Sequence, residues 1–404
     1  MIPFSPPRID EITLESVKET LLSGWITTGP KTKLFEKKLA EYVGCEKVMA
    51  LNSATAGLEL MLRWFGVQEG DEVIVPAYTY CSTANVVVHC GAKIVFADVG
   101  HDFNIDVSKL EGLITEKTKA IMPVDIAGMP VNYDAIIGLI NKPSVKAKFN
   151  PRNKKQEDLG RLFLLADSAH SFGAKYKGRF TGNQADACAY SFHAVKNLTT
   201  AEGGGVALNL PKPFDNDDIY KFLCYYSLHG QSKDALAKAQ LGGWKYDVIG
   251  AGYKCNMMDI QAAIGLVELE RYGNDTLIRR REIFDKYTEV LSNCGWAETP
   301  VYSTEDKESC YHVYMLRING TEQQRDRIIE EISKRKVAVN VHFQPVPGFS
   351  FYKGLGYNVH DYPKAYENYA REISLPVYYT LTNEQVETVL KAVIDSAELV
   401  LNND

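Results

Sequence analysis

Four short apolar runs in this chain end on residues able to do chemistry. After LFLLA come Asp167, Ser168, Ala169 and His170; after ACAY come Ser191, Phe192, His193 and then Lys196. After VMALN come Ser53, Ala54 and Thr55, and after DEVIVP come Tyr78, Thr79 and Tyr80. Singly these residues say little, since a lone lysine is usually solvated surface and a strand-end aspartate is usually a cap. Jointly they put an amine, a carboxylate, hydroxyls and an aromatic ring at strand ends, where open α/β sheets bind ligands. A pyridine ring bearing an aldehyde and a phosphate needs that set. The aldehyde needs the lysine, the ring nitrogen a carboxylate, the phosphate hydroxyls and a helix N-terminus, and the ring face a flat partner. The lysine must also be partly unprotonated, and burial lowers an amine's pKa.

Strand ends of this kind require a sheet to hold them. KVMALN, DEVIVP, KIVFADV, AIMPVDI, LFLLAD, ACAYSF and GGVALN are short continuous apolar runs, with helix-length segments such as 55–65 and 131–140 between several of them. They predict a mostly parallel, seven-stranded α/β sheet covered on both faces, over roughly residues 30–270. Upstream, Leu14, Val17, Leu21 and Leu22 recur at helical spacing before Gly24, and Leu34, Phe35, Leu39 and Val43 repeat the pattern before Gly44. From about 275 the texture changes to a helix (TLIRRREIFDKYTEVL), two strands (HVYMLRI, VAVNVHF) and a last helix (NEQVETVLKAVIDSAELVL), a smaller α+β unit. The expected division is therefore 1–270 for the larger domain and 271–404 for the smaller, with the N-terminal segment free to pack on the latter. Residues 142–161, polar and basic, are long for a helix-to-strand connection and are expected as a solvated loop.

The bulk numbers agree with a two-domain enzyme and exclude other classes. A chain of 404 residues exceeds one simple core. The net charge of −6 gives no nucleic-acid footprint, and no apolar run reaches the ~20 residues of a membrane helix. The eight cysteines lack a C-x-x-C pair, so they read as reduced thiols and no metal site is expected. MIPFSPPRID lacks the features of a secretory signal, and the expected location is cytoplasmic. AEGGGV is no dinucleotide fingerprint, because it lacks G-x-G-x-x-G and leads into a strand; its glycines fit close backbone approach.

SFHAVKNLTTAEGGGVAL closely resembles the lysine motif of the DegT/DnrJ/EryC1/StrS sugar aminotransferases, a branch of the fold-type-I pyridoxal-phosphate enzymes. SGWITTGPKTKLFEKKLAEYVG, NSATAGLELML, GDEVIVPAYTY, LLADSAHSFGA, GYKCNMMDIQAAIGLVELE and ISLPVYYTLT follow as further family landmarks, in family order, over nearly the whole chain apart from 142–161. The resemblance implies that pyridoxal 5′-phosphate is held on Lys196 as a Schiff base and that Lys196 shuttles the proton. It implies Asp167 on the pyridinium nitrogen, His170 near the phenolic oxygen, Tyr80 stacked on the ring, and Ser191, Ala54 and Thr55 on the phosphate, the alanine through its backbone N–H. It further implies a homodimer with shared sites, an amino-acid donor, expected to be glutamate, and a nucleotide-diphosphate keto-sugar acceptor, expected to be 4-keto-6-deoxy.

The chain departs from the family at GYKCNM, where the commoner form reads roughly G-Y-N-Y-R-M. Lys254 stands where an asparagine reaches the partner's phosphate, and Asn256 replaces the arginine; either could complete the neighbouring site, or the segment could be an interface turn. Thr27, Thr28 and Gly29 resemble the substrate-side loop. His342 falls where the small domain reaches the sugar, and His193 either helps the sugar end or packs. His229, Gly230 and His312 also match family positions, with structural roles equally open. Amination at C3 is an alternative, as is a dehydratase, although those enzymes carry histidine at the Lys196 position. A non-catalytic regulator would not need the chemical residues kept here.

Overall fold

A computed structural model describes residues 1–233 and 244–402. All seven apolar runs form strands: β1 Lys47–Leu51, β2 Glu72–Pro76, β3 Lys93–Ala97, β4 Thr118–Ile121, β5 Phe163–Asp167, β6 Ala187–Ser191 and β7 Gly204–Leu208. They make one sheet in the order β1-β7-β6-β5-β4-β2-β3. β7 is antiparallel to both neighbours and the remaining pairs are parallel. Every residue of β2, β4, β5 and β7 is buried, as a sheet covered on both faces demands. The ends of β1, β2, β5 and β6 and the start of the reversed β7 therefore share one edge.

The helices begin and end on chemical signals. α1 (Glu11–Leu22) starts at Asp10, whose side chain accepts from the Thr13 amide. α2 (Pro30–Val43) has proline in its first turn and stops at Gly44, whose φ of 74° suits glycine. α3 (Ala54–Phe65) is capped by Ser53, whose hydroxyl accepts from the Ala56 amide, and closes on Gly66 at φ 83°. The apolar stripe of α1 does not face this chain's core: Thr13 and Thr20 are buried, while Leu14, Leu21 and Leu22 are exposed.

A second core gathers Ile283, Tyr287, Leu316, Ile328, Ile373, Val389 and Val393. It packs on a three-stranded antiparallel sheet of β8 (Ala297–Glu298), β9 (Tyr314–Ile318) and β10 (Glu372–Leu375). Ile2 joins this core, its amide donating to the Lys336 carbonyl at 2.8 Å. HVYMLRI supplies β9, but VAVNVHF is not a strand. Val337 bridges only Ile2, and Asn340 bridges only Ser374, because the segment crosses from the N-terminus to β10 instead of running along one neighbour.

Residues 142–161 are not a solvated loop. They contain two short helices, Pro143–Lys146 and Lys154–Leu159, and bury Val145 and Gln156. Lys119, buried at the start of β4, donates to the Asn150 carbonyl, and Arg152 Nη1 lies 3.0 Å from Asp71 Oδ1, just before β2. Both anchors sit at strand starts, on the edge opposite the strand ends described above. Among the described residues no helix is long and apolar enough to cross a membrane.

Candidate active site

A cavity of about 360 Å³ opens where the strand ends converge, and Ala54, Thr55, Tyr80, Asp167, His170, Ser191, His193, Lys196 and His342 all line it. Lys196 follows β6 in a turn in which its amide donates to the His193 carbonyl at 2.9 Å. Burial pushes the Lys196 amine down to about 8, with Asp167 and Cys310 pulling the other way. About a tenth of an amine with that pKa is unprotonated at pH 7, against well under a hundredth for an ordinary lysine, and a nucleophile or proton carrier needs that form.

Asp167 closes β5 and is buried. Thr83 Oγ1 donates to its Oδ2 at 2.7 Å, and the Ala169 amide donates to its Oδ1 at 3.2 Å. Burial raises its pKa, opposed by the Thr83 and Ala169 hydrogen bonds and by the charge of Lys196. The carboxylate is thus aimed and poorly solvated, a state in which a cationic ring N–H is a favourable partner.

Facing it, the N-terminus of α3 and Ser191 form a corner suited to an anion. Ser53, Ala54 and Thr55 open the helix, whose first amides have no intrahelical acceptor and whose dipole favours negative charge. Gly204 permits this packing. A Cβ there would lie 2.3 Å from the Ala54 nitrogen and 2.3 Å from the Ser53 carbonyl carbon.

Four histidines, His170, His193, His312 and His342, share the cavity with the lysine. The Ala127 amide lies 3.3 Å from His170 Nδ1, so this nitrogen accepts and Nε2 carries the proton of the neutral ring. Burial, then the nearby Lys196 charge, holds His170 well below the usual histidine range. His312 packs 4.6 Å from His170 between ring centroids and pairs its Nδ1 with Asn197 Oδ1 at 2.8 Å. Burial, followed by the Lys196 charge, depresses His342 to about 4. Tyr80 is an exposed rim residue whose ring stands 5.8 Å from Phe343. His193 lies 3.6 Å from Glu202.

The other sequence candidates form a separate cluster outside this cavity's lining. Thr28 Oγ1 donates to the Met257 carbonyl at 2.5 Å and accepts from Asn256 Nδ2 at 2.6 Å. Lys254 Nζ donates to Asn256 Oδ1. Buried Asp259 receives the amides of Gly29 at 2.8 Å, Thr32 at 2.9 Å and Lys31 at 3.0 Å, while its own amide donates to the Thr27 carbonyl at 3.2 Å. His229 and Gly230 are turn residues of positive φ, and His229 does not line the cavity.

Sequence reasoning missed Thr83, Asn197, Phe4 and Phe343 around the cavity and Asp259 in the cluster. Only Thr83 left a signal, standing four residues beyond Thr79 just inside the helix Cys81–His89, and the two hydroxyls meet at 2.8 Å.

The cavity's composition fits a phosphorylated pyridine aldehyde, and the relatives of this chain agree with it. It is 37% identical over 98% of its length to the spore coat polysaccharide biosynthesis protein SpsC of Bacillus subtilis, covering 96% of that protein. It is 31% identical over 97% of its length to the UDP-4-amino-4-deoxy-L-arabinose–oxoglutarate aminotransferase of Shewanella sediminis, covering 97% of it. Its structure superposes with a TM-score of 0.95 on the PMP form of Spr1654, a sugar aminotransferase candidate of Streptococcus pneumoniae, at 44% identity over 99% of this chain and 100% of that one. A PLP form of the same protein gives 0.93 at 42% identity, over 99% of each chain. The family model of the DegT/DnrJ/EryC1/StrS aminotransferase family matches residues 7–147 and 153–394, and this chain belongs to that family.

Proposed function

We propose that this sugar aminotransferase uses pyridoxal 5′-phosphate to move the amino group of L-glutamate onto a nucleotide-linked 4-keto-6-deoxy sugar. The observation that carries the reading is the Lys196 amine, lowered to about 8, in one cavity with the buried Asp167 and the open N-terminus of α3. When bound, the cofactor supplies an electron sink that makes a proton on the donor's amino carbon removable. Lys196 would hold its aldehyde carbon, Asp167 its ring nitrogen, and Ala54, Thr55 and Ser191 its phosphate. Tyr80 would cover the ring face and His170 would meet the phenolic oxygen.

The chain's own part in the chemistry is proton handling. Unprotonated Lys196 Nζ would be the base that takes the proton from the donor's amino carbon and holds it for return. Asp167, oriented by Thr83, would keep the ring nitrogen protonated. His193 and His342, both on the cavity wall, would meet the sugar end.

A second copy of the chain completes the reading. Exposed Ile12, Leu14, Leu21, Leu22, Ile26 and Leu34 on α1, α2 and their connection would be covered in a homodimer. Thr27, Thr28, Gly29, Lys254 and Asn256 would then serve the partner's cavity, with Lys254 supplying a point charge for phosphate.

The test is a matrix of purified protein, L-glutamate and nucleotide 4-keto- and 3-keto-sugars. The proposal expects 2-oxoglutarate release and an amine at C4. An amine only at C3 overturns the position, and no transfer to any keto-sugar overturns the acceptor class.

A further inference from the structure

His342 is held in the cavity wall by more than packing. Phe4 stacks on its ring at 5.5 Å between centroids. Its Nδ1 lies 2.8 Å from Ser374 Oγ, and Ser374 Oγ lies 2.5 Å from Glu372 Oε1. The His342 backbone N–H donates to the other oxygen, Glu372 Oε2, at 2.9 Å. Glu372 and Ser374 stand two residues apart on β10, on one face of the strand, and both are fully buried. Among the described residues, nothing hydrogen-bonds to His342 Nε2, the ring atom left for the cavity.

A hydroxyl has a single proton to give. When Ser374 gives it to the Glu372 carboxylate, Ser374 can only accept from the imidazole, so Nδ1 carries the ring proton and Nε2 offers a lone pair. When Glu372 is itself protonated, it donates to Ser374, Ser374 donates to Nδ1, and the ring proton sits on Nε2. The heavy-atom geometry serves both arrangements.

We infer that Glu372 and Ser374 form a proton relay that selects which tautomer of neutral His342 faces the substrate. The exchange balances. One proton enters at Nε2, the Nδ1 proton passes to Ser374 Oγ, and the Ser374 proton passes to Glu372, so the ring ends uncharged and only the carboxyl has gained a proton. The substrate part of this inference rests on the proposed function, namely that the keto-sugar occupies this part of the cavity. At neutral pH His342 is then a hydrogen-bond donor toward a sugar oxygen, and at higher pH an acceptor for a sugar hydroxyl.

The surroundings put the switch in an accessible range. Burial raises Glu372 to about 8, opposed by the Ser374 and His342 hydrogen bonds and by the charges of Arg325 and Arg317. Tyr78 faces the same carboxyl, is kept neutral by burial, and donates its hydroxyl to the His342 carbonyl at 2.6 Å. On the cavity side the charged group is Lys196, which with burial keeps His342 neutral.

The experiment reads the tautomer directly, by long-range proton–nitrogen correlation on histidine-labelled protein without substrate. The wild type is expected to pass from the Nε2–H to the Nδ1–H form in one titration near pH 8. In Glu372→Gln the amide oxygen accepts from the His342 amide and its NH2 donates to Ser374, which locks the Nε2–H form at every pH. Ser374→Ala removes only a hydroxyl and uncouples the ring from Glu372. Lys196 titrates in the same range in both proteins, so the kinetic readout is the ratio of acceptor kcat/KM in wild type to that in Glu372→Gln, which should change by about tenfold across the titration, the worth of one well-placed hydrogen bond. A wild-type tautomer that stays constant from pH 6 to 10, or one that titrates unchanged in Ser374→Ala, overturns the relay. A tautomer that switches while acceptor kinetics ignore it leaves the relay standing and overturns the substrate assignment.

Discussion

Thr83 Oγ1 donates to Asp167 Oδ2 at 2.7 Å, across 84 positions of sequence, and through this bond a helix that follows β2 aims the acid that ends β5. Thr79 backs it, hydroxyl to hydroxyl, at 2.8 Å. Thr83→Val keeps the shape and removes the donor. Asp167 then loses a hydrogen bond that favours its charged form, and its pKa rises further. Hydrogen bonds to charged groups contribute about 1.5–3 kcal/mol, so cofactor affinity should fall by about 10- to 100-fold. Absorbance titration of cofactor-free protein measures it, and unchanged affinity would show that Thr83 only packs.

Lys196 carries a stability signature independent of catalysis. Its pKa in the folded chain, about 8, lies below the value of about 10.5 in an unfolded chain. Between those values the unfolded state binds more protons, so folding stability contributed by this group rises with pH from about 8 to about 10.5, and below about 8 the charged amine is a cost. Lys196→Met removes that cost. The cofactor-free variant should exceed wild type by about 1–2 kcal/mol at pH 7, with the gap closing as pH approaches 10. Urea denaturation at several pH values tests this, and a variant less stable at pH 7 sinks it.

Gly204 is a packing requirement where β7 meets the start of α3. Its Cβ position is filled by the backbone that starts α3. Gly204→Ala must push that helix start away from Ser191, so cofactor affinity should drop by at least about tenfold while the circular dichroism spectrum holds. Equilibrium dialysis of the two proteins against pyridoxal 5′-phosphate decides it.

Much of this was legible before any coordinates because the strands are short apolar runs and the chemistry follows them directly. Asp167, Ser191 and the Ser53–Thr55 helix start are each adjacent to their run, so locating the strand located the residue. Contacts closed by the tertiary fold left no such mark. Asn197 finds His312, and Phe4 finds His342, only because distant segments meet. The stripe Leu14, Leu21 and Leu22 was readable as helical, but spacing alone says nothing about what a stripe faces. The β-branched run at 337–341 resembled a strand and lacked the one thing a strand needs, a continuous neighbour.

Asp259 ties the loop Thr27–Gly29 to the start of its own helix, Asp259–Arg271, by accepting three backbone amides and the Thr32 hydroxyl. Asp259→Ala leaves those buried donors unmatched and should cost about 2–3 kcal/mol. Asp259→Asn keeps an acceptor at Oδ1 and turns an N–H toward Lys31, so it should lose less. The urea midpoints should therefore rank wild type, then Asn, then Ala, and an alanine variant equal to wild type would remove Asp259 as the tie.

If Lys254 and Asn256 serve the partner's cavity, two dead subunits should repair one another. Lys196→Ala destroys its own cavity but keeps an intact Lys254–Asn256 segment. The double variant Lys254→Ala, Asn256→Ala keeps an intact cavity and loses the segment. In a mixed dimer one cavity carries Lys196 and receives an intact segment from the other subunit. Random reassortment makes half the dimers mixed, each with one complete site of two, so activity should recover to about a quarter of wild type. The measurement is 2-oxoglutarate release after the two variants are unfolded together and refolded, against each refolded alone. Should the segment serve its own chain's cavity, no mixed dimer holds a complete site, and activity would stay at the level of the double variant's half of the mixture.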